Sequence, residues 1–150
     1  MILAVDIGNS NVVIGGFEND KIEFTARIAT DVSRTEEQYA VEIFQILHLY
    51  GYQAEKMEGS IISSVVPPLT TILKTALRTI IGKKPLVVGP GLKTGLNIKL
   101  DNPSSLGADR VADTVAAIRE YPLPLLVVDM GTATTMSVTN EKEEFIGGAI

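Results

Sequence analysis

The chain has 150 residues, 45% of them hydrophobic and 21% charged, which suits a folded core rather than a disordered segment. A net charge of −5 and a pI near 4.9 argue against a nucleic-acid or anionic-membrane surface, and 5% aromatic residues with no Trp leave few platforms for stacking bases. The absence of cysteine excludes disulfides, thiolate catalysis and Cys-based zinc sites, and fits a reducing cytoplasm.

Residues 2–6 (ILAVD) are a continuous apolar run ending on a charge, the pattern of a buried central strand. The start carries no basic leader region, and no apolar run reaches membrane-spanning length. Residues 11–17 and 21–29 are β-prone and joined by the polar turn Glu18-Asn19-Asp20, so the first three strands read as an antiparallel meander. Two overlapping capping boxes follow, Ser33 with Glu36 and Thr35 with Gln38. Beyond them Tyr39, Ile43, Ile46, Leu47 and Tyr50 recur at helical spacing, and Gly51 is a natural stop.

A strand is expected over 60–66 (SIISSVV). Pro67-Pro68 then opens a helix through Leu69, Ile72, Leu73, Leu77 and Ile80, with Gly82 at its end. Residues 85–88 (PLVV) read as a short buried strand, and 89–103 as a long loop rich in Gly, Pro, Asn and Lys, a length that often marks function. Ser104 or Ser105 is expected to cap a helix whose inward stripe is Val111, Val115 and Ile118. The order β-β-β-α-β-α-β-α predicts an α/β fold, a mixed sheet with helices on its faces.

From Leu123 the opening returns. Residues 3–17 (LAVDIGNSNVVIGGF) and 126–140 (LVVDMGTATTMSVTN), aligned on Asp6 and Asp129, each give an apolar strand, Asp, one apolar residue, Gly and a short polar run. Such a turn suits a polyanion and its metal, because Gly admits phosphate oxygens to backbone N–H groups. Asn9, Ser10 and Asn11 add neutral donors and acceptors, whereas Asp6 would reach a phosphate only through a hydrated cation such as Mg²⁺. Each turn alone is equally an Asx hairpin. Matched in pairs, they suggest a nucleotide cleft with one loop on each side.

Gly107-Ala108-Asp109-Arg110 is the third element. A carboxylate in the first turn of a helix is favoured by the helix dipole, which suffices to explain Asp109 structurally. The functional reading makes Asp109 the acceptor of a hydroxyl proton and Arg110 a clamp for a carboxylate or phosphate. Other features carry less. GPGLKTG at 89–95 lacks the Gly-Lys-Ser/Thr of a P-loop, His48 has no metal-spaced partner, and Ser63 and Ser64 have no His for a hydrolytic triad.

DIGNSN, SSVVPP, GPGLKTGL, LGADR and DMGTATT, in that order, closely resemble the type III pantothenate kinases, which share a superfamily with acetate and sugar kinases, actin and heat-shock chaperone ATPases. The resemblance implies a ribonuclease-H-like (actin-like ATPase) domain over 1–120 and the incomplete start of a second, duplicated domain over 121–150. It implies ATP-dependent phosphorylation of pantothenate, the first step to coenzyme A, with Mg²⁺ and a monovalent cation, by a cytoplasmic homodimer that needs neither nucleic acid nor membrane. Asp6, Ile7, Gly8, Asn9, Ser10, Asn11, Val12 and Val13 would form the phosphate loop, with Asp6 toward Mg²⁺, and Thr132 would touch ATP. Leu100, Gly107, Ala108, Asp109 and Arg110 would hold pantothenate, Asp109 accepting the proton, and Asp129 would hold K⁺ or NH₄⁺. Many family members carry Tyr where this chain has Leu100, and the family continues well beyond Ile150, so the 150 residues alone are expected to be inactive. A regulatory protein of the same fold and another small-molecule kinase of the superfamily are the competing readings.

Overall fold

The computed structural model describes residues 1–150, which form two compact units, Met1–Val87 and Val88–Ile150. In the first, Ile2–Ile7 (β1), Asn11–Glu18 (β2) and Lys21–Ala29 (β3) make the expected antiparallel meander. Gly59–Ser64 (β4) and Leu86–Val87 (β5) add parallel strands, giving the order β3-β2-β1-β4-β5, a mixed sheet of the ribonuclease-H-like kind. β1 is central, as its composition predicts, but only one face of it is buried. Leu3, Val5 and Ile7 are in the core, while Ile2 and Asp6 on the other face are exposed. The period-two alternation delivers a carboxylate to the open side of the sheet.

Two helices cover the buried face. Of the two capping boxes, Thr35 with Gln38 starts Glu36–Leu49 (α1): Gln38 N donates to Thr35 Oγ1 at 3.4 Å and Thr35 N donates to Gln38 Oε1 at 2.9 Å. Ser33 is diverted, its N and Oγ both donating to Asp31 Oδ1 at 2.9 and 2.6 Å. Tyr39, Ala40, Ile43 and Leu47 form the inward stripe, whereas Tyr50 ends the helix exposed. Pro67 starts Pro67–Ile81 (α2) and Gly82, in the left-handed region at φ 77°, ends it. Its buried residues are Leu69, Leu73, Ala76, Leu77 and Ile81; Ile72 and Ile80 are half-buried, on the flank of that stripe. Each such leucine contributes about 1.5–3 kcal/mol of transfer free energy on burial.

The α-ammonium of Met1 closes this unit. It is almost fully covered, pairs with Glu58, and lies 3.6 Å from Glu18. The hydrogen bond from Met1 to Glu58 holds the ammonium pKa above its ordinary value, and the same contact holds the Glu58 carboxyl below its own. The ammonium's contribution is therefore complete below its unfolded pKa and is lost as pH rises through the higher folded value. Glu58's contribution is complete above its unfolded pKa and is lost as pH falls through the lower folded one. The expected result is a melting-temperature plateau between these limits. Glu58→Gln should flatten both shoulders in calorimetric scans across pH; shoulders unchanged by the substitution would count against the pair.

In the second unit Leu125–Met130 (β7) and Thr134–Thr139 (β8) form the hairpin that the duplicated motif predicts, and Glu144–Ala149 (β9) extends it to a second antiparallel meander. The expected loop over 89–103 contributes Asn97–Ile98, here β6, which pairs in parallel with β9 and gives the order β6-β9-β8-β7. Ala108–Glu120, here α3, starts later than expected. Ser104 and Ser105 lie instead in a 3₁₀ turn, Pro103–Ser105, where Asn102 Oδ1 accepts from Ser104 N at 3.2 Å. Val111 is buried, Val115 and Ile118 half-buried, and Thr114 is the other fully covered position of the helix.

A small core of Leu106, Val111 and Phe145 holds this unit, with Leu96, Ile98 and Leu100 packed against it. The division at Val87/Val88 places 88–120 with the second meander, whereas the family resemblance implies a first domain that runs to 120. The reason is long-range pairing: β6 joins β9, and α3 packs against β7 and β8.

Candidate functional site

In the first unit, β1 carries Asp6 one residue from its end, opposite Val13 of β2 and Ser63 of β4. Gly8 N donates to Asn11 O at 2.9 Å and closes the loop between Ile7 and Val12. Asn9, Ser10 and Asn11 are exposed, whereas Ile7 and Val12 are core residues and offer only backbone. Thr30 is a part of this loop that sequence reasoning missed. Its Oγ1 donates to Gly8 O at 2.7 Å and its N donates to Ser10 O at 3.1 Å, pinning the turn from beyond β3. The only signal for it is hairpin arithmetic, since pairing Asn11 with Ala29 puts Thr30 beside Ser10.

The second unit repeats the device one residue shorter. Gly131 N donates to Ala133 O at 3.1 Å, and Met130 pairs with Thr134 across residues 131–133, where Ile7 pairs with Val12 across residues 8–11. Asp129 is half-buried, paired in register with Thr135, and lines a shallow hollow of about 320 Å³ with Asp113, Ala117 and Val127. Thr132 is exposed in the turn. The inward face of β8 is hydroxylic: Thr135, Ser137 and Thr139 are all buried there.

At the start of α3 the cap is Gly107, without a side chain to bond the free N–H groups. A Cβ at Gly107 would sit 2.4 Å from Asp109 Oδ1, so the carboxylate folds back over the cap and glycine leaves it room. Charge and helix dipole reinforce this placement. Arg110, one position on, turns the other way. Its Nε donates to Ser137 Oγ at 3.1 Å, its Nη2 donates to Met136 O at 2.7 Å, and its guanidinium carbon lies 5.4 Å from the Phe145 ring centre. Gly107, Ala108, Asp109 and Arg110 are thus brought together on one helical turn.

Beside that turn opens a cavity of about 760 Å³, within the range of small-molecule sites. Its walls are the loop Gly89–Ile98, Asn102 to Ser104, Leu106, Ala108 and Val111. Lys93 supplies the only charged side chain among them. The long Gly/Pro loop is therefore a cavity wall rather than a phosphate loop. Leu100 does not line the cavity; it packs on the small core. No three His, Cys, Asp or Glu side chains converge as a metal cluster, so a cation at Asp6 or Asp129 would rely on at most two carboxylates, with backbone or phosphate oxygens. Mg²⁺ accepts such a site, since it keeps most of its waters and usually takes one or two carboxylates.

A family model for type III pantothenate kinase matches residues 2–150. The chain belongs to the type III pantothenate kinase family. Among curated relatives of that name, the one from Geobacillus sp. (strain WCH70) is 46% identical over 150 residues, all of this chain and 58% of the relative. Those from Halalkalibacterium halodurans and Brevibacillus brevis are 43% and 44% identical, again across the whole chain and 59% of each relative. The chain thus spans about three fifths of the length of the type III pantothenate kinases it matches. Solved structures share the fold at low identity. One described as a candidate 2-dehydro-3-deoxygalactonokinase from Sinorhizobium meliloti superposes with a TM-score of 0.54 at 11% identity, over 99% of this chain and 52% of that one. A reductive activator for a corrinoid, iron-sulfur protein gives 0.55 at 13%, over 93% and 29%. The resemblance read from DIGNSN, LGADR and DMGTATT to the type III pantothenate kinases is borne out.

Proposed function

We propose that the whole protein transfers the γ-phosphoryl group of ATP to the hydroxyl of pantothenate, the first step toward coenzyme A. The observation that carries this reading is the family match over residues 2–150, together with an Asp-Arg pair at the mouth of α3 beside a ligand-sized cavity. Asp109 accepts the hydroxyl proton at a carboxylate oxygen, and Arg110 pairs with the acceptor's own carboxylate. The acceptor's chain lies along the wall of Leu96, Ile98, Leu106 and Val111.

The loop from Asp6 to Val13 receives the phosphates on backbone N–H groups and on Asn9, Ser10 and Asn11, with Thr30 holding its shape. Thr132 contacts ATP from the second hairpin. Asp6 would hold Mg²⁺ and Asp129 K⁺ or NH₄⁺; these cations, when bound, offset phosphate charge. Because little covalent work falls to the protein in phosphoryl transfer, positioning and charge supply most of the catalysis. The protein would work in the cytoplasm as a homodimer. No helix is long and apolar enough to cross a membrane.

The test is pantothenate-dependent ADP release, with the product's added phosphate identified by mass and a panel of sugar acids and short carboxylic acids run alongside. Phosphopantothenate formation dependent on Mg²⁺ and stimulated by K⁺ or NH₄⁺ is expected. Turnover of another acceptor with none on pantothenate would overturn the reading.

A further inference from the structure

We propose that Gly148 of β9 and Ser137 of β8 are positioning residues that fix the guanidinium of Arg110 for the acceptor's carboxylate. In the β8–β9 ladder Ser137 pairs with Gly148 and Met136 with Ala149. Arg110 reaches from α3 to β8 of this pair of strands, donating from Nε to Ser137 Oγ and from Nη2 to Met136 O. A Cβ at position 148 would stand 1.9 Å from Met136 O and 2.1 Å from Arg110 Nη2. No side chain fits there: the Met136 carbonyl of the neighbouring strand excludes it first and the guanidinium fills the remaining space. Gly148 needs no left-handed backbone; the requirement is space alone.

Several details make this a seat rather than an incidental contact. Ser137 is buried, so its hydroxyl acceptor is shielded from competing water. The ring of Phe145, fully buried, lies under the guanidinium and limits its swing. The two bonds use Nε and Nη2, and the hydrogens on Nη1 remain for an oxyanion. A fork already held in one orientation loses less freedom when the carboxylate arrives, so the seat should act on acceptor affinity. Two adjacent functional groups thus each depend on a glycine: Asp109 on Gly107 within the helix, Arg110 on Gly148 some forty positions away in sequence.

The inference rests on the proposed reading of Arg110 as the acceptor's anion clamp, and the experiment separates the two. Ser137→Ala, which removes an acceptor without adding bulk, should raise the KM for pantothenate about tenfold while leaving the KM for ATP unchanged. Gly148→Ala should do at least as much; where it fails to fold, Ser137→Ala decides. Arg110→Gln should raise the same KM and abolish any further effect of Ser137→Ala, and Arg110→Lys should not rescue, since an ammonium cannot span the two bonds. Exchange of the Arg110 Nε proton, followed by NMR on the 150-residue chain, should be slow and should speed up in Ser137→Ala.

If Ser137→Ala and Gly148→Ala lower only the melting temperature and leave the acceptor KM alone, the seat is structural and the proposal falls while the kinase reading stands. A full, additive effect of Ser137→Ala on the Arg110→Gln background overturns it equally. If the protein turns over a different anionic alcohol and the KM pattern holds for that substrate, the seat is supported and the pantothenate assignment fails.

Discussion

Asp109→Asn is expected to lower the phosphoryl-transfer rate of the whole protein about 10²- to 10⁴-fold, the usual yield of a positioned acid–base group. Asn is nearly isosteric, so the side chain can still fold back over Gly107 into the space that glycine leaves. What it loses is the ability to take a proton from the acceptor hydroxyl. Nucleotide affinity should change little, because the groups proposed for ATP lie on other elements: the loop after β1 and the turn containing Thr132. Loss of the charge at the first turn of α3 costs about 0.3–1 kcal/mol, too little to unfold a domain. Single-turnover rates with saturating ATP, paired with calorimetric nucleotide titration, read the two effects separately. Normal turnover in the variant would remove Asp109 from the proposed chemistry, and lost ATP binding would mean that it holds the nucleotide instead.

Phe145→Ala should be the most damaging change to folding in the second unit. The ring is fully buried, and only Leu106 and Val111 share its buried core. Truncating a buried Phe costs about 3–5 kcal/mol. At about 0.1 kcal/mol per residue, that approaches the whole stability of a unit this small. The cores of the two units share no residue: Met1 to Ile81 form one cluster and Leu106, Val111 and Phe145 the other. Amide hydrogen exchange should therefore show lost protection across Val88–Ile150, with α1, α2 and β1 still protected. An even loss across both units would show that they fold as one, and unchanged protection would show that Phe145 does not hold the second.

Much of the molecule was legible because its signals are local. Pro67 and Gly82 bracket α2 through φ restriction at one end and a left-handed cap at the other, and neither depends on what the helix packs against. The first meander follows from β-prone runs and a polar turn, and the β7–β8 hairpin from its likeness to the first. Where two local signals competed, sequence was silent. Ser33/Glu36 and Thr35/Gln38 are equivalent as patterns, and the choice went to Thr35 because Asp31 captured both donors of Ser33. The start of α3 moved for a similar reason: Asn102 and Pro103 built a separate turn that used up Ser104 and Ser105.

By itself, the sequence determined the strand and helix order of the first unit, the duplicated strand-Asp-x-Gly turn, the family, and the candidate residues at both turns and at LGADR. These rest on interactions spanning a few residues, or on motifs preserved whole along the chain. Only the tertiary structure decided which residues support them. Thr30 pins the first loop because strand register brings it there. Leu100 was placed on the core rather than the cavity wall, β6 appeared where a loop was expected, and 88–120 joined the second unit because β6 found β9. Gly148 reads as an ordinary strand glycine until Arg110 is seen in the space where its side chain would be. Such contacts depend on which strands pair and in what register, and that is settled by the packing of the whole unit rather than by any short stretch of chain.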